Sequence, residues 1–235
     1  MKEQYVCTVC GYNMVGYHPG RCPFCGATRE KFLTSEDCSV RFRVESFPVN
    51  ERVTRLNSVP PLGIEHAAYR IETDNKTVMV DCPSSFDKNL SPVDAITFTH
   101  HHFLGASNQY RDLFSAQVAI HHLDSAHPLC KGFTFDITFS ENFVDNDIEA
   151  FHIGGHTPGF TFYIFDVTLL ICDYTFLKGD DLVFNPYGPK ADTKEGGKKL
   201  KAITEGRKLA SVCGYNFAID YDEWQSRFNR LLAEA

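Results

Sequence analysis

Eight residues of this 235-residue chain have types and spacings suited to holding metal ions: four cysteines, three histidines and one aspartate. The cysteines stand in "YVCTVCGYNMVGYHPGRCPFCGATREKF", where Cys7 and Cys10 form one CxxC pair and Cys22 and Cys25 another, with eleven residues between the pairs. Two intervening residues let a tight turn aim both sulfurs at one ion. Gly11 and Gly26 follow the pairs, and glycine tolerates the positive φ that such turns need while baring backbone N–H groups toward the thiolates. Two such knuckles predict a tetrahedral tetrathiolate site for iron or zinc.

The histidines are arranged differently. In "AITFTHHHFLGASNQY" three of them end an apolar strand, and strand alternation predicts that His100 and His102 share one face while His101 takes the other. Two imidazoles on one face make half of a metal site. "FHIGGHTPGFTFYIF" sets His156 in a glycine-rich turn, and "LLICDYTF" ends an apolar strand on Asp173. A carboxylate there is costly unless solvated or paired, and a metal ion satisfies it. His121 and His122 end a further strand and read as surface residues or as neighbours of a ligand.

Elements must position these groups. Residues 1 to about 34 are rich in Gly, Cys, Pro and Tyr and too short to build a core, so a metal must staple them. Residues 35 to 45 read as a connector. From about Val40 the texture becomes β-rich, with "VRFRVESF", "AAYRIET", "KTVMVDC" and "AITFTHH" as strands. A helix is expected near Ala106 to Leu113, then the strand "QVAIHH", then strands from about Thr134 to Ile171. "FTFYIFDVTLLICD" predicts a hairpin turning at Asp166 to Thr168. Residues 193 to 211 carry helical spacing, "VCGYNFAI" reads as one late strand, and Asp222 to Ala235 as a closing amphipathic helix. Strands in two groups with helices outside predict a two-sheet α/β sandwich.

Net charge is −7, with 43% hydrophobic and 23% charged residues, which speaks for an ordinary globular chain and against nucleic-acid or anionic-membrane binding. The basic run Lys194 to Lys208 reads as a solvated helix face. No stretch approaches the roughly 18 apolar residues of a membrane span, and the opening "MKEQYVCTVC" lacks a signal peptide's apolar core. Paired CxxC motifs indicate metal in a reducing compartment, cytoplasmic or a reducing organelle. Cys38, Cys82, Cys130, Cys172 and Cys213 are expected to be buried, reduced thiols.

With those residues in view, the first segment resembles the rubredoxin-like domain of rubrerythrins in its CxxCGY opening and CPxCGA close. That resemblance implies an iron passing single electrons, with a structural zinc ribbon as the other reading of the same ligands. Residues 40–235 resemble the metallo-β-lactamase fold superfamily in "MVDCP" with Asp81, "THHHFLG", "GGHTPG" and "CDYTF". The resemblance implies an αβ/βα sandwich with metals at one edge, preceded by the four-cysteine domain at 1–34. That superfamily's usual pattern is HxHxDH. His100 and His102 match it, but Leu104 and Gly105 stand where its aspartate and last histidine belong. In "NFAIDYDEW" Asp220 is the nearest candidate for a further family ligand. The resemblance therefore implies one ion on His100, His102 and His156 with Asp173 available, and a second metal site largely missing.

The persulfide dioxygenases of that superfamily hold one ferrous iron with two histidines and an aspartate, which match His100, His156 and Asp173. Flavodiiron proteins pair the same fold with redox modules. The leading expectation is a redox metalloprotein in which the four-cysteine iron exchanges electrons with one iron at the histidine site. Its substrate is a small molecule: dioxygen, a peroxide, a nitrogen oxide or a sulfur species. A redox partner protein is expected as donor, no nucleic acid or membrane is, and an oligomer is compatible. The second expectation is a single-zinc hydrolase of a thioester or ester, like glyoxalase II, with Asp173 or Asp220 as base. The third is a non-catalytic metal-binding protein that engages a protein partner.

Overall fold

The computed structural model describes residues 2–234. Packing divides the chain into two units, Met1–Phe139 and Ser140–Ala235.

The first unit opens with strands β1 (Gln4–Cys7), β2 (Asn13–Val15) and β3 (Phe32–Thr34), joined as an antiparallel sheet in the order β2-β1-β3. The expected connector is mostly a helix, α1 (Ser35–Arg41). Thr34 Oγ1 accepts from Asp37 N at 3.1 Å, so a side chain caps the first turn. "VRFRVESF" accordingly becomes a strand only at β4 (Arg43–Pro48), and Val40, expected in the strand, lies 77% exposed on the helix.

There follow β5 (Val53–Val59), β6 (Ala68–Glu72), β7 (Thr77–Val80), β8 (Ala95–Thr97), α2 (Ser107–Phe114), β9 (Gln117–His121), α3 (His122–Ser125) and β10 (Ile137–Phe139). The seven strands β4 to β10 form one sheet in sequential order. β4 to β7 run antiparallel, while β7, β8, β9 and β10 are parallel. Buried Met79, Ile96, Phe98, Val118, Ile120 and Tyr110 form its core beneath α2. The parallel order has a direct consequence for chemistry. The C-terminal ends of β7, β8 and β9 share an edge, so the segments starting at Asp81, Phe98 and His122 gather there. The start of β6, antiparallel to β7, brings His66 to the same edge.

The second unit is built on a six-stranded sheet of order β11-β12-β13-β14-β17-β18. Its strands are β11 (Phe143–Asp145), β12 (Ile148–His152), β13 (Thr161–Phe165), β14 (Thr168–Cys172), β17 (Ser211–Gly214) and β18 (Ala218–Asp220). The expected hairpin is β13–β14, with Asp166 at φ 51° in its turn. Between β14 and β17 lie a separate hairpin, β15 (Thr175–Lys178) with β16 (Asp181–Phe184), and α4 (Lys190–Thr204). The helix expected over 193 to 211 thus begins earlier and stops at Thr204, because Gly206 takes φ 75° just beyond it. "VCGYNFAI" is not one strand but the two strands of a hairpin, β17 and β18. α5 (Tyr221–Glu234) closes the chain and buries Trp224 and Phe228; Ala235 lies outside the described residues. No helix among the described residues is long and apolar enough to cross a membrane.

Candidate metal centres

Each CxxC knuckle is closed by the same two backbone hydrogen bonds. Gly11 N donates to Cys7 O at 2.8 Å and Cys7 N to Tyr12 O at 2.9 Å. The second knuckle repeats this with Gly26 N to Cys22 O and Cys22 N to Ala27 O, at 2.9 and 2.8 Å. Both glycines sit at positive φ, 84° and 75°. The sulfurs of all four cysteines lie within 4.8 Å of one another. Cys7–Cys25 and Cys10–Cys22 are each 3.7 Å apart, matching the edge of about 3.8 Å for a tetrahedron with metal–sulfur bonds near 2.3 Å. Four thiols this close cannot all ionise without a cation. Hydrogen bonds from Cys10 and Cys22 hold the Cys7 thiol far below its ordinary value, and the same contacts, from Cys22 and Cys7, drive Cys10 far above it. The four-cysteine cluster fits iron or zinc. The module does not stand without apolar support: Tyr12, Met14, Phe32 and Leu129 bury the sulfurs, and Leu129 comes from beyond β9.

The remaining cysteines are buried and free of disulfides, as expected. Burial pushes Cys38 and Cys130 up to about 12 and Cys82 well above the thiol range, so these three are inert thiols.

β8 ends at Thr97, so the three histidines lie on the loop beyond the strand and the pleat does not position them. Local hydrogen bonds do. Thr99 N and Thr99 Oγ1 both donate to Asp81 Oδ1, at 2.9 and 3.0 Å. With its one proton committed to the carboxylate, the hydroxyl accepts from His100 Nδ1 at 2.9 Å. That fixes the tautomer and presents His100 Nε2 as the basic atom. Asp81 itself takes the left-handed φ of 59° that brings its carboxylate under the loop. The His100 and His102 rings have centroids 4.7 Å apart. His101 Nδ1 instead stands 3.0 Å from the buried Asp124 Oδ1, with its ring stacked on His127 at 3.7 Å. His121, buried, accepts from Leu123 N and so caps α3, while His122 is exposed.

Sequence reasoning missed His66. Its Nδ1 lies 3.1 Å from the Ala67 carbonyl, which can only accept, so Nε2 carries the lone pair. His66 is 2% exposed and its Nε2 has no hydrogen-bond partner. The ring lies 5.9 Å from that of His100 and edge-on to Phe103 at 4.5 Å. A lone histidine in "IEHAAY" carries no motif; only the meeting of strand ends makes it notable.

The backbone explains the departures from HxHxDH. Gly105 has φ 53°, and a Cβ there would lie 2.3 Å from Cys82 O and 2.4 Å from Pro83 O. Leu104, 1% exposed, belongs to the apolar core under α2. Gly105 has no room for a side chain, and a polar ligand at Leu104 would be buried among apolar groups.

In the second unit the turn after β12 and the end of β14 occupy one sheet edge. There His156 Nε2 lies 3.6 Å from Asp173 Oδ2, close to the edge of about 3.4 Å for ligands sharing an ion at 2.1 Å. Asn185, just past β16, donates Nδ2 to Asp173 Oδ2 at 2.9 Å, and its Oδ1 accepts from Tyr187 N at 3.0 Å, which sets the amide's orientation. Asn185 Nδ2 is 3.3 Å from His156 Nε2. Gly155 is required in the turn, since a Cβ there would meet Tyr174 Oη at 2.5 Å. Cys172 holds φ 46° at a register shift in β14, turning Asp173 out of the strand.

Asp220 has a different task from the base or ligand expected of it. It is exposed, and Oδ1 accepts from Asp222 N and Glu223 N at 2.9 and 3.1 Å, capping α5.

Comparison with known proteins bears on the four-cysteine segment and on the fold. Residues 5–33 match the family model described as the rubrerythrin, rubredoxin-like domain. No curated protein matches the chain. Among solved structures, VMB-1 at pH 5.5 is similar with a TM-score of 0.65 at 14% identity, covering 81% of this chain and 97% of that one. The metallo-β-lactamase of Pontibacter korlensis gives 0.64 at 15% identity, covering 82% and 100%. TTHA1623 in a di-iron-bound form gives 0.57 at 17%, covering 70% and 94%. The chain therefore has a metallo-β-lactamase-type α/β fold, with a rubredoxin-like domain at its N-terminus. The four-cysteine cluster and the histidine and aspartate donors fit iron or zinc.

Proposed function

We propose that the chain is a redox metalloprotein in which a four-cysteine iron exchanges single electrons with one iron at the histidine site of the metallo-β-lactamase-type fold. The observation that carries this reading is the packing of the tetrathiolate knuckles and the histidine loop within one unit. Asn13 Nδ2 donates to Ser84 O at 2.9 Å, and Tyr12 Oη to Leu129 O at 2.9 Å, so the sulfur cluster is bonded to the segments flanking that loop. A purely hydrolytic site has no use for a one-electron centre fastened beside it. Iron at such a mixed nitrogen and carboxylate site supplies affinity for small oxidants or sulfur species.

The chain's own groups have definable tasks in this reading. Thr99 and Asp81 hold His100 in the tautomer that exposes Nε2. Asn185 fixes the Asp173 carboxylate. Leu104 and Gly105 keep the second-metal position closed, which disfavours two-metal hydrolysis. The substrate is a small molecule, dioxygen, peroxide, a nitrogen oxide or a sulfur species, and the donor is a redox protein in a reducing compartment.

A second reading draws on the fold neighbours that are named metallo-β-lactamases: a single-zinc hydrolase of a thioester or ester. Metal analysis of anaerobically purified, iron-grown protein separates the two. About two irons per chain, with red thiolate absorption that bleaches on reduction, supports the redox reading. Ester hydrolysis by the zinc form, indifferent to reductant, replaces it with the second. One metal per chain that Cys22→Ala removes and His156→Ala does not overturns both, and directs attention to binding partners.

A further inference from the structure

We infer that Phe24 is the electron conduit between the four-cysteine centre and the histidine loop; the inference rests on the redox reading above. Phe24 lies inside the second knuckle, between Cys22 and Cys25 in "CPFC". Its ring meets the His102 ring edge-on at 5.4 Å and the Phe103 ring at 5.3 Å. Phe103 in turn meets His66 at 4.5 Å, and His102 meets His100 at 4.7 Å. One side chain, bonded through its backbone to two of the sulfur ligands, thus touches the cluster of imidazoles directly.

The contact is held from both sides. A Cβ at Gly63 would lie 2.4 Å from Val9 O, so the first knuckle packs against the sandwich backbone with no side chain between them. A Cβ at Gly11 would lie 2.8 Å from Ser84 Oγ. These approaches, with the Asn13 and Tyr12 hydrogen bonds, keep the module from drifting and Phe24 from leaving His102. Electron tunnelling weakens far faster across an empty gap than through packed atoms, so a ring that fills the gap decides the rate. The step is balanced simply: the four-cysteine iron is oxidised from ferrous to ferric, the iron at the histidine loop is reduced from ferric to ferrous, and no bond forms or breaks.

The test is a series at position 24, Phe24→Leu, Phe24→Val and Phe24→Ala, in the full iron-loaded chain. A photochemical one-electron reductant is pulsed under anaerobic conditions, and the thiolate absorption is followed as the electron leaves the four-cysteine centre. The midpoint potential of that centre and its visible spectrum are measured in every variant, which removes driving force and metal loss as explanations. The rate is expected to fall with side-chain reach, little for Leu and by an order of magnitude or more for Ala. If Ala loses the thiolate spectrum, Leu and Val still give the comparison. A wild-type chain that transfers rapidly, with a flat series at position 24, overturns the conduit and leaves the redox reading standing. A wild-type chain with both irons present and no transfer overturns the redox reading, and the conduit with it.

Discussion

Thr99 Oγ1 sits 2.9 Å from His100 Nδ1 while donating its proton to Asp81, so one hydroxyl joins a buried carboxylate to an imidazole. Both residues are 1% exposed. In such a place the hydroxyl's geometry governs which nitrogen of His100 is basic. Thr99→Val keeps the shape and removes the acceptor. Loss of a comparable hydrogen bond behind a metal-binding histidine costs about 10- to 100-fold in metal affinity. Competition against a chelator of known affinity measures it, and an unchanged affinity would show that His100 is oriented by something else.

Restoring the usual metal-binding pattern by Leu104→Asp with Gly105→His is expected to fail. The aspartate would enter the apolar core, and the histidine's Cβ would collide with two carbonyl oxygens at a positive φ. Burying an unpaired carboxylate and straining the backbone together cost several kcal/mol, on the order of the whole stability of many domains. Thermal melting should drop sharply or the chain should fail to accumulate. A well-folded double variant that binds one additional metal per chain would refute this account of the loop.

Much of the site was legible because its ligands are local. Two CxxC pairs followed by glycine describe their own geometry, and the apolar "FTFYIF" and "TLLIC" runs around Asp166 describe their own hairpin. What escaped depends on distant chain segments. His66 has no motif, and only the antiparallel pairing of β6 with β7 brings it beside Asp81 and the loop after β8. Asn185 follows a hairpin that went unread, although Gly179 and Asp180 between "TFLK" and "DLVF" are a two-residue turn signal. The α1 helix was hidden by the β-branched and aromatic residues that follow it, while Thr34 and Asp37 already spelled its cap. Asp220 shows the opposite case: an acidic residue at a strand end resembles a ligand until the helix it caps is seen.

Asp136 supplies a pH signature in the first unit. The Arg111 guanidinium beside it holds its carboxyl below the usual carboxylate range, and Val118 N donates to it at 2.9 Å. A folded-state value below the unfolded one stabilises the chain above the unfolded value of about 3.9, and the gain is lost as pH falls through the folded value. Both side chains are partly exposed, so Asp136→Asn should cost only about 1 kcal/mol at neutral pH. Urea unfolding at a series of pH values should show the gap between wild type and variant closing in acid. A gap that stays constant down to pH values where carboxylates are neutral would mean the pair contributes nothing through charge.

Cys22→Ala separates the metal's contribution from the packing around it. Cys22 supplies one of four sulfurs, while the carbonyl that accepts from Gly26 N is backbone and is kept by alanine, so the variant removes the ligand alone. Removing a ligand leaves three thiols unable to satisfy a tetrahedral ion, and one metal per chain should be lost. The consequences should nevertheless stay local. Tyr12, Met14, Phe32 and Leu129 still pack together, the β1–β2–β3 ladder needs no metal, and Tyr12 and Asn13 still bond to Leu129 and Ser84. Hydrogen exchange should therefore show Cys22 and Gly26 amides losing protection while the Val6 amide in β1 keeps most of its own. Protection lost throughout residues 4–34 would mean the ion, and not the apolar contact with Leu129, holds the module to the sheet. Retention of the ion in the variant would remove the tetrathiolate assignment itself.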